Sequence, residues 1–177
     1  MTTGPGNLEW TTATDGLVAG PVAVALASWS EASSVLAAPI DPDLADTAAF
    51  CEQYGVELAD SANCVLIAGR RGDITRYAAC VVLATTRADV NGVVRKRLDA
   101  RKASFAPMED ATTSSGMEYG GITPIGLPGE WPVLVDAAVL ARDVVVIGSG
   151  LRRSKIALPS AALRALPGAE VIEGLAS

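Results

Sequence analysis

The spacing of apolar positions along the chain predicts a mixture of helices and strands. Apolar residues that recur at helical intervals, with capping and stop signals, predict helices at 17–29, 43–54, 89–98, 105–111 and 160–166. Short runs rich in Val, Ile and Leu predict strands at 34–40, 64–68, 74–84, 133–135, 144–147 and 155–158. Because these elements follow no regular strand–helix–strand order, the pattern predicts an α+β or mixed α/β fold around one sheet.

Composition indicates a globular chain whose core is built from small side chains. Of the 177 residues, 50% are apolar and only 5% are aromatic, and the length suits one domain, since domains cluster near roughly 100–150 residues. The apolar runs are shorter than the ~18 residues that a membrane span requires. The first residues lack the charged and apolar regions of a secretory signal. We therefore expect a cytoplasmic protein, not associated with a membrane, whose first seven residues form a frayed tail.

The residue types present limit the available chemistry. The chain has no histidine, which removes Ser–His–Asp and Cys–His catalysis, histidine-ligated zinc and imidazole base catalysis. The three cysteines, Cys51, Cys64 and Cys80, lack metal-binding spacing, so we expect reduced, buried thiols, with a Cys64–Cys80 disulfide as the alternative. We expect neither a metal nor a cofactor.

Charge is distributed unevenly along the chain. The formal net charge is −6, yet residues 70–102 carry nine of the 14 basic residues and three acidic ones, so this segment is +6 and the remainder −12. Such a local basic field can bind a polyanion. A solvated helix face is the alternative.

The most informative segment is the glycine-rich stretch at 113–126, Thr-Ser-Ser-Gly-Met-Glu-Tyr-Gly-Gly-Ile-Thr-Pro-Ile-Gly. Glycine allows close approach of the backbone to a ligand, and proline fixes the direction in which the chain leaves. A loop of this kind presents main-chain N–H groups to an anion or a carbonyl oxygen. A tight connection between two elements is the alternative.

Three further features lie downstream. Gly148-Ser-Gly150 follows an apolar run, but Arg153 stands where a dinucleotide fingerprint requires its third glycine, so we reject that kind of site. Asp136 directly follows the apolar run 133–135, which predicts a buried strand. It is either a site residue or the cap of a following helix. Lys155 precedes an apolar strand and is either a shielded cation or a surface lysine.

These segments together resemble the YbaK/prolyl-tRNA synthetase-associated domain family. The stretch at 115–126 resembles the signature loop of that family, and the segments at 133–136 and 144–150 resemble its strand-Asp and strand-glycine segments. Asp41-Pro42 fits the entry segment, and the resemblance extends over residues 34–172. It divides the chain into an N-terminal tail and helix extension, residues 1–33, and a YbaK-like editing domain, residues 34–177.

The resemblance implies a central, mostly antiparallel sheet with flanking helices, and hydrolysis in trans of the ester of a mischarged aminoacyl-tRNA. The acceptor end of the tRNA is the implied substrate, and an aminoacyl-tRNA synthetase is a further candidate partner. The catalytic residues expected on this basis are Gly120, Gly121, Asn63 and Lys155. The expected substrate-binding residues are Cys64, Gly116, Tyr119, Ile122, Thr123, Pro124, Asp136, Ser149 and Gly150.

The chain departs from the family pattern at one position. Family members usually carry a lysine at the start of the first hairpin strand, where this sequence has Asn63, and Lys155 falls where other members often have an acidic residue. We hypothesise that the positive charge has moved from one wall of the pocket to the other. The alternatives are a non-catalytic binder of aminoacyl-tRNA or a small aminoacyl nucleotide, and an unrelated hydrolase with Cys64 or Ser115 as nucleophile.

The expected mechanism uses main-chain amides. The N–H groups near Gly120 and Gly121 would stabilise the oxyanion that develops on the ester carbonyl. The attacking water would be held by Asn63, Thr123 or a ribose hydroxyl of the substrate. This mechanism requires those two glycines to line an open cleft.

Overall fold

The strands of the protein form two sheets that enclose a shared core. The computed structural model describes residues 3–14 and 16–177. The strands are β1 (Thr11–Thr12), β2 (Leu36–Pro39), β3 (Ala62–Arg71), β4 (Ile74–Leu83), β5 (Lys102–Phe105), β6 (Val133–Asp136), β7 (Val144–Gly148), β8 (Ser154–Pro159) and β9 (Ala169–Ile172). The helices are α1 (Gly20–Leu26), α2 (Thr47–Tyr54), α3 (Arg95–Arg97), α4 (Met108–Ser115) and α5 (Ala137–Leu140).

The two sheets differ in strand direction. The four-stranded sheet has the order β1-β2-β8-β7 and is antiparallel throughout. The five-stranded sheet has the order β5-β3-β4-β6-β9, in which β5, β3 and β4 are antiparallel and β4, β6 and β9 are parallel. A parallel bridge between Ser61 and Val146 joins the start of β3 to β7. The α+β class and the hairpin around residues 69–73 are therefore confirmed, although the strands divide between two sheets instead of surrounding one.

The main core lies between the sheets and consists largely of valine, leucine, isoleucine and alanine. Ile147 and Leu158 from the four-stranded sheet pack in the same cluster as Leu66 and Val81 from the five-stranded sheet. Val22 of α1 is fully buried in this cluster. Because both sheets contribute to one apolar layer, neither can bury its inner face alone.

The N-terminal segment is attached to the rest of the fold. The N–H of Asn7 donates to the Tyr54 carbonyl at 2.7 Å, and the indole N–H of the buried Trp10 donates to the Pro5 carbonyl at 2.8 Å. The expected frayed tail is therefore wrong for residues 5–7, whereas residues 1 and 2 lie outside the described part of the chain. β1 also pairs with β2 and so adds this segment to the four-stranded sheet.

Several helices are shorter than the apolar pattern predicts. The predicted helix at 105–111 is wrong at its start: Phe105 ends β5, and α4 begins at Met108, because a proline at 107 disfavours helical backbone at the residue before it. The predicted helix at 89–98 begins as a π turn at Val90–Val94 before α3, and the one at 160–166 is a 3-10 helix at Ser160–Ala165. In the described ranges, none of the helices has the length and apolar character needed to cross a bilayer.

The glycine-rich segment after α4, here called the glycine loop (residues 116–126), is held against the 148–152 turn by main-chain hydrogen bonds. The N–H of Glu118 donates to the Gly150 carbonyl at 2.9 Å, and the N–H of Gly150 donates to the Gly121 carbonyl at 2.7 Å. The N–H of Arg152 donates to the carboxylate of Glu118 at 2.8 Å. The turn formed by the Gly-Ser-Gly sequence therefore supports the glycine loop.

The loop and the turn approach each other too closely for side chains. A Cβ at Gly148 would lie 2.5 Å from the Gly121 carbonyl oxygen and 2.7 Å from that of Ile122. A Cβ at Gly121 would lie 2.6 Å from the carbonyl oxygen of Leu151. Since the opposing atoms are backbone, neither side can give way without moving the loop.

We therefore expect Gly148→Ala to destabilise the protein by about 1–3 kcal/mol, because the added methyl group overpacks a backbone contact. Gly129→Ala is a matched control, since a Cβ at Gly129 meets no atom within 4 Å, and we expect it to stay within about 0.5 kcal/mol of wild type. Urea unfolding measures both. Equal stability of the two variants would contradict the close docking of the loop.

Candidate active site

A cavity of about 450 Å³ opens beside the glycine loop. Its walls come from the N-terminus of α2, the first half of β3, the end of β5, the glycine loop, and the adjoining parts of β7 and β8. Both sheets contribute, so the cavity lies where β3 and β7 are bridged. The cavity therefore brings side chains from distant parts of the sequence into one space.

The structure brings together about half of the residues expected from the sequence. Those that line the cavity are Asn63, Cys64, Tyr119, Gly120, Ile122 and Lys155. Those that do not line it are Gly116, Gly121, Thr123, Pro124, Asp136, Ser149 and Gly150. The sequence motif thus combines residues that face the cavity with residues that support the loop.

Asn63 is oriented by the helix opposite it. It is the second residue of β3, and its side-chain carbonyl accepts a hydrogen bond from the hydroxyl of Thr47, the first residue of α2, at 2.8 Å. Asp46 caps the same helix, accepting from the N–H of Ala48 at 3.2 Å. In the described part of the chain the NH₂ group of Asn63 has no hydrogen-bond acceptor. Asn63 therefore offers two neutral donors at the cavity wall.

Lys155 is buried in the cavity wall, with 8% of its surface exposed. Its ammonium group donates to the Ala45 carbonyl at 3.1 Å and lies 5.1 Å from the centre of the Phe50 ring, a cation–π distance. Burial lowers the pKa of Lys155, and the positive charge of Arg152 lowers it further, while Cys51 and Asp46 act in the opposite direction. The alternative of a surface lysine is wrong.

Of the two central glycines, one lies at the cavity and one behind it. Gly120 is exposed, lines the cavity and has a φ of 88°, and among the described residues its N–H has no acceptor. Gly121 is buried, and its N–H donates to the Glu118 carbonyl at 3.0 Å. The expectation that both glycines line an open cleft is therefore wrong for Gly121, whose amide is used within the loop, and of the two amides that of Gly120 is left available to a ligand.

The other motif residues outside the cavity belong to the support of the loop. Gly116 ends α4 with a φ of 70°. Thr123 and Pro124 are buried, and the Thr123 hydroxyl has no partner within the described ranges. The Ser149 hydroxyl lies 2.7 Å from that of Ser154, and this pair holds the 148–152 turn.

Asp136 lies in another part of the molecule. It ends β6, occupies the N-cap position of α5 and pairs with Ile172 of β9. Burial raises the pKa of its carboxyl group, an effect that nearby main-chain N–H groups, first of all that of Ala138, partly offset. Its surroundings are the C-terminal segment and not the cavity.

The thiols are poorly suited to nucleophilic attack. Cys64 pairs with Val81 and Cys80 with Val65, and all three cysteines are free, so the disulfide alternative is wrong. Burial raises the pKa of the Cys64 thiol, the nearby Cys80 adds to the effect, and burial raises the pKa of Cys80 to about 12. Both thiols therefore remain protonated near neutral pH.

Ser115, the other nucleophile considered, lies at the end of α4. It is buried and outside the cavity lining, and its hydroxyl accepts from the N–H of Met117 at 3.2 Å. Across residues 3–14 and 16–177 there is also no cluster of three or more metal-ligating side chains.

Sequence patterns missed several residues of the cavity. Asp46, Thr47 and Phe50 of α2 line it, as do Phe105 at the end of β5 and Gly148 of β7. The Asp41-Pro42 entry followed by a capped helix indicated that α2 exists, but helical spacing does not say which loop the N-terminus of a helix faces. Phe105 was missed because it was assigned to a helix.

The basic residues at 70–102 are divided over the five-stranded sheet: Arg70 and Lys102 lie at its β5 edge, whereas Arg97 pairs with Glu170 of β9 at the other edge. Arg70 of β3 pairs with Lys102 of the edge strand β5, and both side chains are exposed. Arg71 forms an ion pair with Asp99 at 2.9 Å. Phe105 ends the same edge strand at the cavity, so this edge leads from Arg70 and Lys102 to the cavity mouth.

The comparisons with known proteins agree with this architecture. The family described as an aminoacyl-tRNA editing domain matches residues 41–166. A candidate trans-editing enzyme for prolyl-tRNA synthetase superposes with a TM-score of 0.73 at 20% identity, covering 86% of this chain and 93% of that one. A structure from work on epitope backbone grafting onto scaffold proteins gives 0.74 at 19% identity, with 88% and 95% covered. A hypothetical protein gives 0.67 at 19%, with 78% and 86% covered.

At these identities the structural likeness establishes the fold, and no curated protein sequence matches the chain at a significant level. The family match, in contrast, spans most of the chain and includes the glycine loop, the strand with Asn63 and the strand with Lys155. The resemblance inferred from the sequence is confirmed, and the chain belongs to the aminoacyl-tRNA editing domain family.

Proposed function

We propose that this protein is an aminoacyl-tRNA deacylase that acts in trans and hydrolyses the ester of a mischarged tRNA. Family membership makes it an editing domain, and hydrolysis is the step that the proposal adds. The main support is the convergence of three donors on one cavity: the amide of Gly120, the NH₂ group of Asn63 and the ammonium of Lys155. Donors of this kind suit an ester carbonyl whose oxygen gains negative charge.

In the proposed reaction, the ester carbonyl oxygen accepts from the N–H of Gly120 and from Lys155. One hydrogen of the Lys155 ammonium is directed at the Ala45 carbonyl, which leaves two for the substrate. Water attacks the carbonyl carbon, the bond from that carbon to the ribose oxygen breaks, and the proton of the water passes to the departing ribose oxygen. Removing one oxyanion donor typically raises such a barrier by ~2.7–4 kcal/mol.

Asn63 holds the attacking water in this proposal. Its side-chain oxygen is occupied by Thr47, so its NH₂ group is directed by a fixed hydrogen bond. The hydroxyl of Thr123, the other protein group considered for this role, is enclosed and outside the cavity lining. The free ribose hydroxyl of the substrate would help to hold the same water, and an aminoacyl ester is reactive enough for such positioning to suffice.

The relocation of positive charge is part of the same proposal. Asn63 belongs to β3 of the five-stranded sheet, whereas Lys155 belongs to β8 of the four-stranded sheet, and both line the cavity. A ligand in the cavity can therefore contact a cation at position 155 as well as it could contact one at position 63. The burial of Lys155 strengthens its electrostatic effect, since water screens it less.

The remainder of the tRNA would follow the basic sheet edge. Arg70 and Lys102 lie next to each other there, and the edge leads to Phe105 at the cavity. Phosphates of an acceptor stem placed along this edge would meet these cations. Recruitment by an aminoacyl-tRNA synthetase and a cytoplasmic location stay predictions.

A second candidate function is binding without hydrolysis. It is favoured by Asn63, which stands where the family resemblance expects a lysine. In that case the protein would retain aminoacyl-tRNA, or a small aminoacyl nucleotide, and protect its ester. Incubation with a panel of aminoacyl-tRNAs separates the two functions, because the deacylase shortens the lifetime of one ester and the binder prolongs it.

We expect Lys155→Met to slow single-turnover deacylation by ~10²–10³-fold, the effect of removing one oxyanion donor. Asn63→Ala should slow it as well, since the water loses its donor. Arg164→Met removes an exposed cation outside the cavity and should have no effect. Full activity of Lys155→Met together with loss of activity in Asn63→Ala would show that the charge has not moved.

The burial of Lys155 also predicts a pH dependence of stability. Because its pKa is lower in the folded than in the unfolded state, the unfolded chain binds more protons as the pH rises toward the ordinary lysine value of about 10.4. The free energy of unfolding of wild type, relative to Lys155→Met, should therefore increase as the pH is raised from 7 to 10. Urea unfolding at several pH values measures this difference. A difference that stays constant or decreases would contradict the burial of a charged lysine.

Cys64→Ala should retain deacylation within a few-fold of wild type. The thiol has a raised pKa and lies in a chain without histidine, so it cannot supply a thiolate near neutral pH. Complete loss of turnover in Cys64→Ala, with covalent labelling of wild-type Cys64 by the acyl group, would favour the thiol hydrolase instead.

A further inference from the structure

We infer that the carboxylate of Asp46 binds the α-ammonium group of the substrate, so that the site selects esters whose amino group is free and charged. This inference rests on the proposed function, because it places a second group of the same substrate in the same cavity. An aminoacyl ester carries its ammonium on the carbon next to the reacting carbonyl. A cavity that binds this carbonyl must therefore also accommodate a cation close to it.

The cavity wall carries one residue of each charge. Among the described residues that line it, Asp46 is the acidic residue and Lys155 is the basic one, and the other side chains are apolar or neutral. In the proposed reaction the ester carbonyl lies at Lys155, so the neighbouring ammonium of the substrate is repelled by that lysine. Asp46 is the group in the lining whose charge offsets this repulsion.

Asp46 lies close to Lys155 without pairing with it. The ammonium of Lys155 donates to the carbonyl of Ala45, the residue before Asp46, and the negative charge of Asp46 acts to raise the pKa of Lys155. Within the described ranges, however, the two side chains form no ion pair with each other. The wall therefore presents a separate cation and anion side by side. This arrangement complements a ligand that has a carbonyl oxygen and an ammonium on adjacent carbons.

One oxygen of the Asp46 carboxylate is used by α2, and the other is available. The Oδ1 atom accepts from the N–H of Ala48 at 3.2 Å and makes a longer contact of 3.5 Å with that of Ala49. The Oδ2 atom accepts no hydrogen bond from the residues that the structure describes, and Asp46 is exposed. Because the helix cap already fixes the carboxylate, binding a cation at Oδ2 costs little side-chain entropy.

Two other acceptors of the cavity wall already have donors. The side-chain oxygen of Asn63 accepts from the Thr47 hydroxyl, and the carbonyl of Ala45 accepts from Lys155. A cation is bound most strongly by an ionised acceptor, since charge-assisted hydrogen bonds are roughly twice as strong as neutral ones. Asp46 is therefore the acceptor best suited to the substrate ammonium.

This contact gives the site a selectivity for the amino group that does not depend on the amino-acid side chain. Acylation of the amino group turns the ammonium into a neutral amide, so Asp46 would lose its partner. A site built for a charged group rejects the analogue that lacks it, because its own charge is then left unpaired. Esters of N-acylated amino acids, such as that of peptidyl-tRNA, would therefore be spared.

Replacement of the substrate amino group by a hydroxyl tests the contact. Deamination of an aminoacyl-tRNA with nitrous acid gives the α-hydroxyacyl-tRNA, which has nearly the same size but no positive charge. Each ester that wild type deacylates is compared with its hydroxyacyl form, and both rates are divided by the uncatalysed rate of that ester. We expect wild type to prefer the aminoacyl form about tenfold, the effect of one hydrogen bond between charged groups. Equal acceleration of both forms would overturn the inference.

Asp46→Asn removes the charge and keeps the helix cap, since asparagine is as good an N-cap as aspartate. It should slow deacylation of the aminoacyl form about tenfold and leave that of the hydroxyacyl form unchanged, so that the preference disappears. A role in folding alone would lower both rates by the same factor, and that result would contradict the contact. Thermal unfolding confirms that the variant is folded.

Asp41→Asn is the matched control. The carboxylate of Asp41 accepts from the N–H of Asp43 at 2.9 Å at the start of the preceding helical turn, and Asp41 lies outside the cavity lining. This variant loses one negative charge from the same part of the chain and should keep the preference of wild type. An equal loss of preference in the Asp41 and Asp46 variants would show that only the overall charge matters.

A binding measurement separates this inference from the proposed function. The probes are two adenosines that carry alanine or lactic acid through a 3′-amide, which replaces the reactive ester, and alanine is chosen because its side chain is small. Calorimetry should show that wild type binds the alanyl probe about tenfold more tightly and that Asp46→Asn binds the two probes equally. Equal affinities of wild type, or no binding of either probe, would overturn the inference.

The two proposals can fail independently. The preference for the alanyl probe can be observed even if no ester is hydrolysed, in which case the subsite stands and the deacylase does not. Conversely, deacylation that proceeds equally well on aminoacyl and hydroxyacyl esters would support the proposed function and overturn the role of Asp46.

Discussion

The docking of the glycine loop on the 148–152 turn is the constraint on which the site depends. Main-chain hydrogen bonds join the two segments at a distance that excludes a side chain at Gly121 and Gly148. This contact uses the amide of Gly121 and leaves that of Gly120 at the cavity. Because Gly148 also pairs with Lys155 in the sheet, the same contact fixes the distance between the loop and the buried cation. The positions of the glycine loop, the 148–152 turn and Lys155 are therefore coupled to one another.

The cavity lacks groups that hydrolases often use. It has no histidine, and burial raises the pKa of its cysteine, so the proposed reaction uses donors whose positions are set by backbone pairing and by one helix terminus. Lys155 supplies charge at the expense of desolvation, which a carbonyl and the Phe50 ring only partly offset. A site of this type gains its effect from preorganisation, which suits an already activated ester.

Much of this architecture could be predicted from the sequence, and the remainder has identifiable physical reasons. The hairpin, the interior strands and the glycine loop have strong local signals. The division into two sheets has none, because alternation reports the buried face of a strand and not its neighbour. Likewise, Gly148-Ser-Gly150 carries the signal of a tight turn, but only the tertiary structure shows that another loop is seated on it. Thr47 and Phe105 reach the cavity through contacts between elements distant in sequence.

The hydrogen bond from Thr47 to Asn63 has a consequence for reading the evolutionary record. A lysine at position 63 offers no acceptor, so the hydroxyl at position 47 could no longer donate a hydrogen bond to that residue. The two positions are therefore expected to covary, with an acceptor at 63 accompanied by a hydroxyl at 47. Homologous sequences would then fall into two classes. One class carries the cation at position 63, and the other carries it at position 155, with an acceptor at 63 and a hydroxyl at 47.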